Sequence, residues 1–186
     1  MKNLKFAIIS GFIVFILIFL TNTAHTADRA AKTDPKNIKA AFIVRFPEFI
    51  EWPPHSTVSD PQSPFVIGVL GETPILPVLI EQTKKIKIVD KKVEIVVIKD
   101  YSQIKRCNAL FISRFSRIEL KKILDQLNRL PILTIGDTVD YEKRGVMINL
   151  FVSGDSVRFN VNLAAAKKSS IILTSKIVRC ARFIVK

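Results

Sequence analysis

Residues 109–136 read ALFISRFSRIELKKILDQLNRLPILTIG, and this stretch decides the fold. Ala109 to Ile112 is a continuous apolar run, too short for a helix, and reads as a buried strand. Ser116 and Glu119 form an S-x-x-E capping box. Leu120, Ile123, Leu124 and Leu127 follow on one face, and Pro131 stops the pattern. The spacing predicts an amphipathic helix. Ile132 to Ile135 is apolar again and ends in Gly136 and Asp137, so the unit is strand, helix, strand.

The same alternation extends upstream. Phe65 to Leu70 is an apolar run closed by Gly71; Thr73 is placed to cap a following helix, and Pro74 suits a first helical position. Ile86 to Val89 and Val93 to Ile98 read as strands joined by a turn through Asp90 and Lys91. Further upstream a helix begins near Pro35, with Ile38, Ala41, Phe42, Phe46, Phe49 and Trp52 recurring at helical spacing. Pro47 falls inside that pattern and removes one backbone donor, so the helix should kink or end early. The 3.6-residue period sets Arg45 among these rings, either snorkelling to water or as a buried anchor for a partner carboxylate.

Downstream the period changes to two. Val146, Ile148, Leu150 and Val152 alternate, Ser153 to Asp155 turn, and Val157, Phe159 and Val161 alternate opposite Arg158, Asn160 and Asn162. That predicts a hairpin with one wet face, whose Arg158, Asn160 and Asn162 stripe either faces water or binds a small anion. Helix signals return at Leu163 and from Ser175 to Ile184. The expected fold class is α/β: one domain with a mixed β-sheet, flanking helices, and a C-terminal β-hairpin followed by a helix.

At the amino terminus Lys2 and Lys5 precede an apolar run of 15 residues, Phe6 to Leu20. A spanning helix needs about 20 apolar residues, so a cleaved signal peptide over 1–27 is expected, with an uncleaved anchor as the alternative. Residues 28–34 read as a linker and 35–186 as the domain. Of 186 residues, 48% are apolar and 24% charged, enough for one real core and too few for two ordinary domains. Net charge is +13, and +11 once Lys2 and Lys5 are lost with the leader. Such a surface favours acidic partners or lipid headgroups, and an exported protein meets these rather than nucleic acid, so no nucleic-acid partner is expected.

The chemistry is sparse. Two His and two Cys are too few for a Cys/His zinc site, and no metal or other cofactor is expected. There is no dinucleotide fingerprint, phosphate loop, nucleophile elbow or H-E-x-x-H motif. His55 is the sole His of the mature chain, and Glu72 and Asp137, at predicted strand ends, are the one conceivable carboxylate pair. No catalytic residue is assigned and no enzymatic activity is expected. Cys107 and Cys180 are candidates for a disulfide in an oxidising compartment, with two buried free thiols or an intersubunit link as alternatives.

The blocks KAAFIVRFPEFIEWP, PFVIGVLGETP, CNALFISR, LPILTIGD, YEKRGVMINL and VRFNVNLAAAKKSSIILTSKIVR, in this order over residues 37–181, resemble the YfiR/HmsC family of periplasmic proteins. The resemblance implies an exported α/β domain, usually a homodimer and not an enzyme. It also implies a partner, the periplasmic region of an inner-membrane diguanylate cyclase, whose repression lowers cyclic di-GMP and biofilm formation. Arg45 and Pro47 depart from the family pattern in the first helix. The expected partner surface is therefore that helix, with Arg45, Phe46, Phe49 and Trp52, and its specificity is expected to differ here. The family's cysteines vary, so the resemblance carries over no disulfide.

Overall fold

The computed structural model describes residues 34–186; the predicted leader, its cleavage after Ala27 and linker residues 28–33 lie outside them. The first helix, α1, spans Pro35–Arg45, with Asp34 accepting from the Lys36 amide as its cap. Pro47 ends it early, as its missing donor requires, and the chain tightens into a 3-10 turn over Phe46–Phe49. The two-residue strand β1, Ile50–Glu51, follows.

β2 (Phe65–Leu70), β4 (Lys91–Ile98), β5 (Ala109–Ile112), β6 (Leu133–Gly136) and the start of β7 (Ile148–Ser153) form a parallel centre. β8 (Ser156–Asn162) returns antiparallel to β7 as the predicted hairpin, with Val152 opposite Val157 and Ile148 opposite Val161. The short strand β3 (Lys87–Ile88) pairs antiparallel with β4 at one edge. At the other edge, β10 (Ile184–Val185) runs parallel to β8. The eight-stranded order is β10-β8-β7-β6-β5-β2-β4-β3, and β1 pairs separately with β9 (Ile172–Leu173).

The remaining helices are α2 (Leu76–Thr83), α3 (Arg117–Gln126), α4 (Leu163–Lys168) and α5 (Ser175–Cys180). Both halves of the predicted capping box on α3 are made. Three local expectations are corrected. α2 starts later than Pro74, because Thr73 instead accepts from the Ile75 amide in a turn of its own. The turn between β3 and β4 falls on Val89 and Asp90, both at positive φ, and Lys91 already belongs to β4. The last helix ends at Cys180, and the chain leaves it to pair with β8 through Arg182 N–H to the Phe159 carbonyl and Val161 N–H to the Phe183 carbonyl.

A strand buried on both faces must feed two cores, and the central strands do. Phe65, Ile67, Val69, Ala109, Phe111, Leu133 and Ile135 point to the side of α1 and α2. Val66, Leu70, Leu110 and Ile112 point to the side of α3. The architecture is mixed α/β with helices on both faces of the sheet.

Candidate functional site

In open α/β sheets, ligands settle beyond the carboxyl ends of the strands where the strand order reverses. Here that point lies between β2 and β5, and the chain fills it itself. Gly71 sits at φ +86°, and a Cβ there would stand 3.0 Å from the Phe115 ring. The Ser113 hydroxyl donates to the Glu72 carbonyl at 2.5 Å. The Tyr141 hydroxyl, fully buried, donates to the Ser113 carbonyl (2.9 Å) and accepts from the Phe115 amide (2.7 Å). Asp137 is held by Lys39 of α1 at 2.8 Å. Asp137 is thus held in an ion pair, Glu72 enters the closure only through its backbone carbonyl while its side chain is exposed, and His55 lies exposed in its loop. Among the described residues no cluster of three or more His, Cys, Asp or Glu could hold a metal ion.

The wet face expected of the hairpin is corrected. Glu142, only 2% exposed, accepts from Asn149 Nδ2 (2.8 Å) and Asn160 Nδ2 (3.0 Å), while its carbonyl accepts from Asn162 Nδ2 (2.6 Å). A carboxylate survives burial when such donors replace its water. The segment carrying Tyr141 and Glu142 therefore covers the polar side of the hairpin base. Asn160 and Asn162 face the covering segment instead of solvent, and Arg158 alone stays exposed. The three side chains do not form one anion site.

The opening lies on the other face. α1, the 3-10 turn and α5 enclose a groove of about 450 Å³ over β8. Its floor is aromatic: Phe42 stacks on Phe46 at 5.5 Å, and both meet the edge of Phe159, at 5.8 and 5.1 Å. Ile38, Ala41, Phe49 and Ile177 complete walls that are almost wholly carbon. Arg45, Lys176 and Cys180 also line it. Lys176 Nζ lies 5.7 Å above the Phe49 ring, a cation–π distance. Arg45 is exposed and bonds both carboxylate oxygens of Glu48, at 3.1 and 3.2 Å, so it snorkels and is no buried anchor. Of the predicted partner surface, Arg45, Phe46 and Phe49 come together here. Trp52 stands apart, edge-on to Phe65 at 6.0 Å with its Nε1 donating to the Pro47 carbonyl.

Sequence reasoning missed Phe159, Lys176 and Ile177 as groove residues. Phe159 was legible as a core position of a strand, but nothing local ties that strand to a helix more than a hundred residues earlier. The disulfide is corrected too. Both thiols are free, Cys107 in the core facing α3 and Cys180 exposed at the groove on the opposite side of the sheet. Burial pushes the Cys107 thiol up to about 11. A Cβ on Gly68 would come within 2.6 Å of its sulfur, so that glycine makes room for the thiol.

Comparison with known proteins adds the family. No curated protein matches the chain. Among solved structures, a conserved domain protein from Vibrio cholerae O1 biovar El Tor is similar with TM-score 0.52 and 11% identity. An ABC domain from Streptococcus pneumoniae, solved in complex with L-Trp, is similar with TM-score 0.51 and 9% identity. Each alignment covers 81% of this chain and 60% of the other, so the likeness is one of fold with part of a longer protein. Residues 36–182 match the family described as YfiR/HmsC-like, nearly the whole of the described region. The chain therefore belongs to the YfiR/HmsC-like family, a family of periplasmic regulators of cyclic di-GMP signalling.

Proposed function

We propose that this protein is exported to the periplasm and represses a membrane-anchored diguanylate cyclase by binding the cyclase's periplasmic region, with the groove between α1 and α5 as the anchor point. The observation that carries the reading is the groove itself: aromatic and aliphatic walls left open at the surface of a protein whose strand-end crevice is closed. Apolar surface kept open and rimmed by cations is what a protein interface needs, a pocket for a buried anchor with polar contacts around it. An exported domain reaches a cytoplasmic enzyme only by biasing the conformations of a protein that crosses the membrane. Shifting such a protein from 99:1 active to 1:99 takes about 5.5 kcal/mol of differential affinity. The groove is one part of such an interface, because a stable contact buries about 800 Å² on each partner.

Deleting the gene should raise cyclic di-GMP, and the rise should vanish when the cyclase is deleted as well. Complementation with Ala41→Glu, which sets a carboxylate in the groove without touching the core, should fail although the protein is folded and exported. An unchanged nucleotide level in the single deletion, with the cyclase expressed, would sink the proposal. The groove's volume also falls in the range of small-molecule sites, and one of the similar structures was solved with L-Trp. A small apolar ligand is therefore the second reading, and native mass spectrometry of protein purified from the periplasm would reveal it.

A further inference from the structure

A second concavity lies at the opposite end of the parallel strands from the closed crevice. It measures about 470 Å³ and is bounded by α3, the 3-10 turn Glu142–Arg144 and α4. Its character is the reverse of the groove's. Four cations line it, Lys121, Lys143, Arg144 and Lys168, against one carboxylate, Asp125. Lys121 is paired with Asp125 at 2.6 Å, and Lys143 with Asp140 at 2.7 Å. Among the described residues neither Arg144 nor Lys168 has an acidic partner within 4 Å. The inner wall includes Asn162, Thr134 and Ser169, all more than nine-tenths buried. Asn162 and Thr134 are engaged in the fold, with Ala165 and Met147 amides respectively. The Ser169 hydroxyl has no hydrogen-bond partner among the described residues.

Arg144 and Lys168 thus leave two exposed cations on the rim of one cleft with no acidic side chain of the described residues within 4 Å, and an anion entering it would meet both. Gly145, at φ +107°, lets the turn close on α3: a Cβ there would stand 3.2 Å from Leu124, so the cations are held over a concave surface and not splayed on a convex one. The Arg144 guanidinium, the Lys168 ammonium and the Ser169 hydroxyl line the same cleft and together offer more donors than the two oxygens of a carboxylate can take up, whereas a phosphate group presents three or more.

We propose that this cleft binds a phosphate group, carried either by an anionic lipid headgroup or by a small soluble phosphate, with Arg144, Lys168 and Ser169 as its principal donors. The site is independent of the groove and of the cyclase reading. A phosphate-bearing lipid held here would seat the domain at the membrane surface.

The test compares Arg144→Gln/Lys168→Gln with a control that removes equal charge at the far sheet edge, Lys84→Gln/Lys87→Gln. Both are measured at constant ionic strength, so that general screening is fixed. The probes are inorganic phosphate, followed by calorimetry, and phosphatidylcholine vesicles with and without phosphatidylglycerol, followed by cosedimentation. Loss of two solvent-exposed charge contacts should weaken binding about tenfold in the cleft variant and leave the control within about twofold. Tenfold loss toward inorganic phosphate identifies a soluble ligand; tenfold loss confined to phosphatidylglycerol vesicles identifies the lipid. Equal loss in both double variants would reduce the effect to net charge and overturn the site, as would failure of the unsubstituted protein to bind either probe. Ser169→Ala should weaken the same probe two- to fivefold, about the value of one neutral hydrogen bond, with unchanged melting temperature.

Discussion

The strand-end crevice and the groove over β8 are both gaps between elements, and the chain treats them in opposite ways. At the strand ends the exposed groups are backbone carbonyls, amides and a buried carboxylate, so Ser113, Tyr141, Asn149 and Asn160 are recruited to satisfy them. Over β8 the walls are rings and methyl groups, with little to satisfy, and the gap stays open. A polar gap must be closed from within, because each unpaired buried group costs about 1–3 kcal/mol. An apolar gap costs only exposed carbon, and can wait for a partner. The difference explains why a sheet of this type carries its candidate site away from the usual crevice.

The comparison breaks first if the polar side is not structural. Glu142→Leu removes the acceptor of two buried amides and should destabilise the protein by about 3 kcal/mol, a fall in melting temperature of about 10 °C. Glu142→Gln, which keeps one acceptor oxygen, should lose about half as much. Thermal unfolding followed by circular dichroism decides this, and a stable Glu142→Leu protein would mean that the cluster is ornamental to the fold. Next comes the groove. Ala41 is exposed on α1, so Ala41→Glu should leave stability within about 0.5 kcal/mol while costing about a hundredfold in affinity for the cyclase's periplasmic region, as a hot-spot position does. Titration calorimetry with that purified region checks it, and full retained affinity would move the interface off α1.

The two gaps were not equally legible in the sequence. The apolar runs at 65–70, 109–112 and 132–135, the Ser116/Glu119 box and the alternation from Val146 to Val161 declare their elements locally, so sheet and helices follow from pattern. Pro47 declared the early end of α1 in the same way. Glu142 gave no such signal, because its burial depends on Asn149 and Asn160, which reach it from two strands; nothing at positions 141–143 distinguishes it from a surface Glu. β10 was hidden for a related reason: Ile184–Val185 is too short to show a period, and only pairing with β8 makes it a strand. Half of the groove was visible as the aromatic stripe of α1. The other half, Phe159 and Ile177, belongs to it through tertiary contacts.

Cys107 and Cys180 sharpen the contrast between a closed face and an open one. The buried Cys107 thiol, with its pKa raised from 9.0 to about 11, resists ionisation in the folded protein. Below about pH 9 both states hold the proton and stability is unaffected. Between pH 9 and 11 the unfolded chain ionises first, so stability falls as pH rises, by about 2 kcal/mol in all. Urea unfolding across that window should show the fall, and Cys107→Ala should abolish the part due to this thiol. Cys180, being exposed, should react with a maleimide in the native protein, and Cys107 only on unfolding.

The smallest effect is expected at Arg45, where the sequence allowed a buried anchor and the structure places an exposed pair with Glu48. An exposed pair three residues apart on one helical turn contributes a few tenths of a kcal/mol, so Arg45→Ala should leave the melting temperature within about 2 °C. Its role, if the groove receives the cyclase, is at the rim. Rim cations act on encounter more than on residence, so the association rate should fall two- to fivefold while the dissociation rate holds. Raising the salt concentration should slow the unsubstituted protein toward the variant, since screening removes the same attraction. Surface plasmon resonance at two ionic strengths separates the cases. A loss confined to the dissociation rate and insensitive to salt would mean that Arg45 turns inward when the partner docks, and that the groove is remodelled on binding.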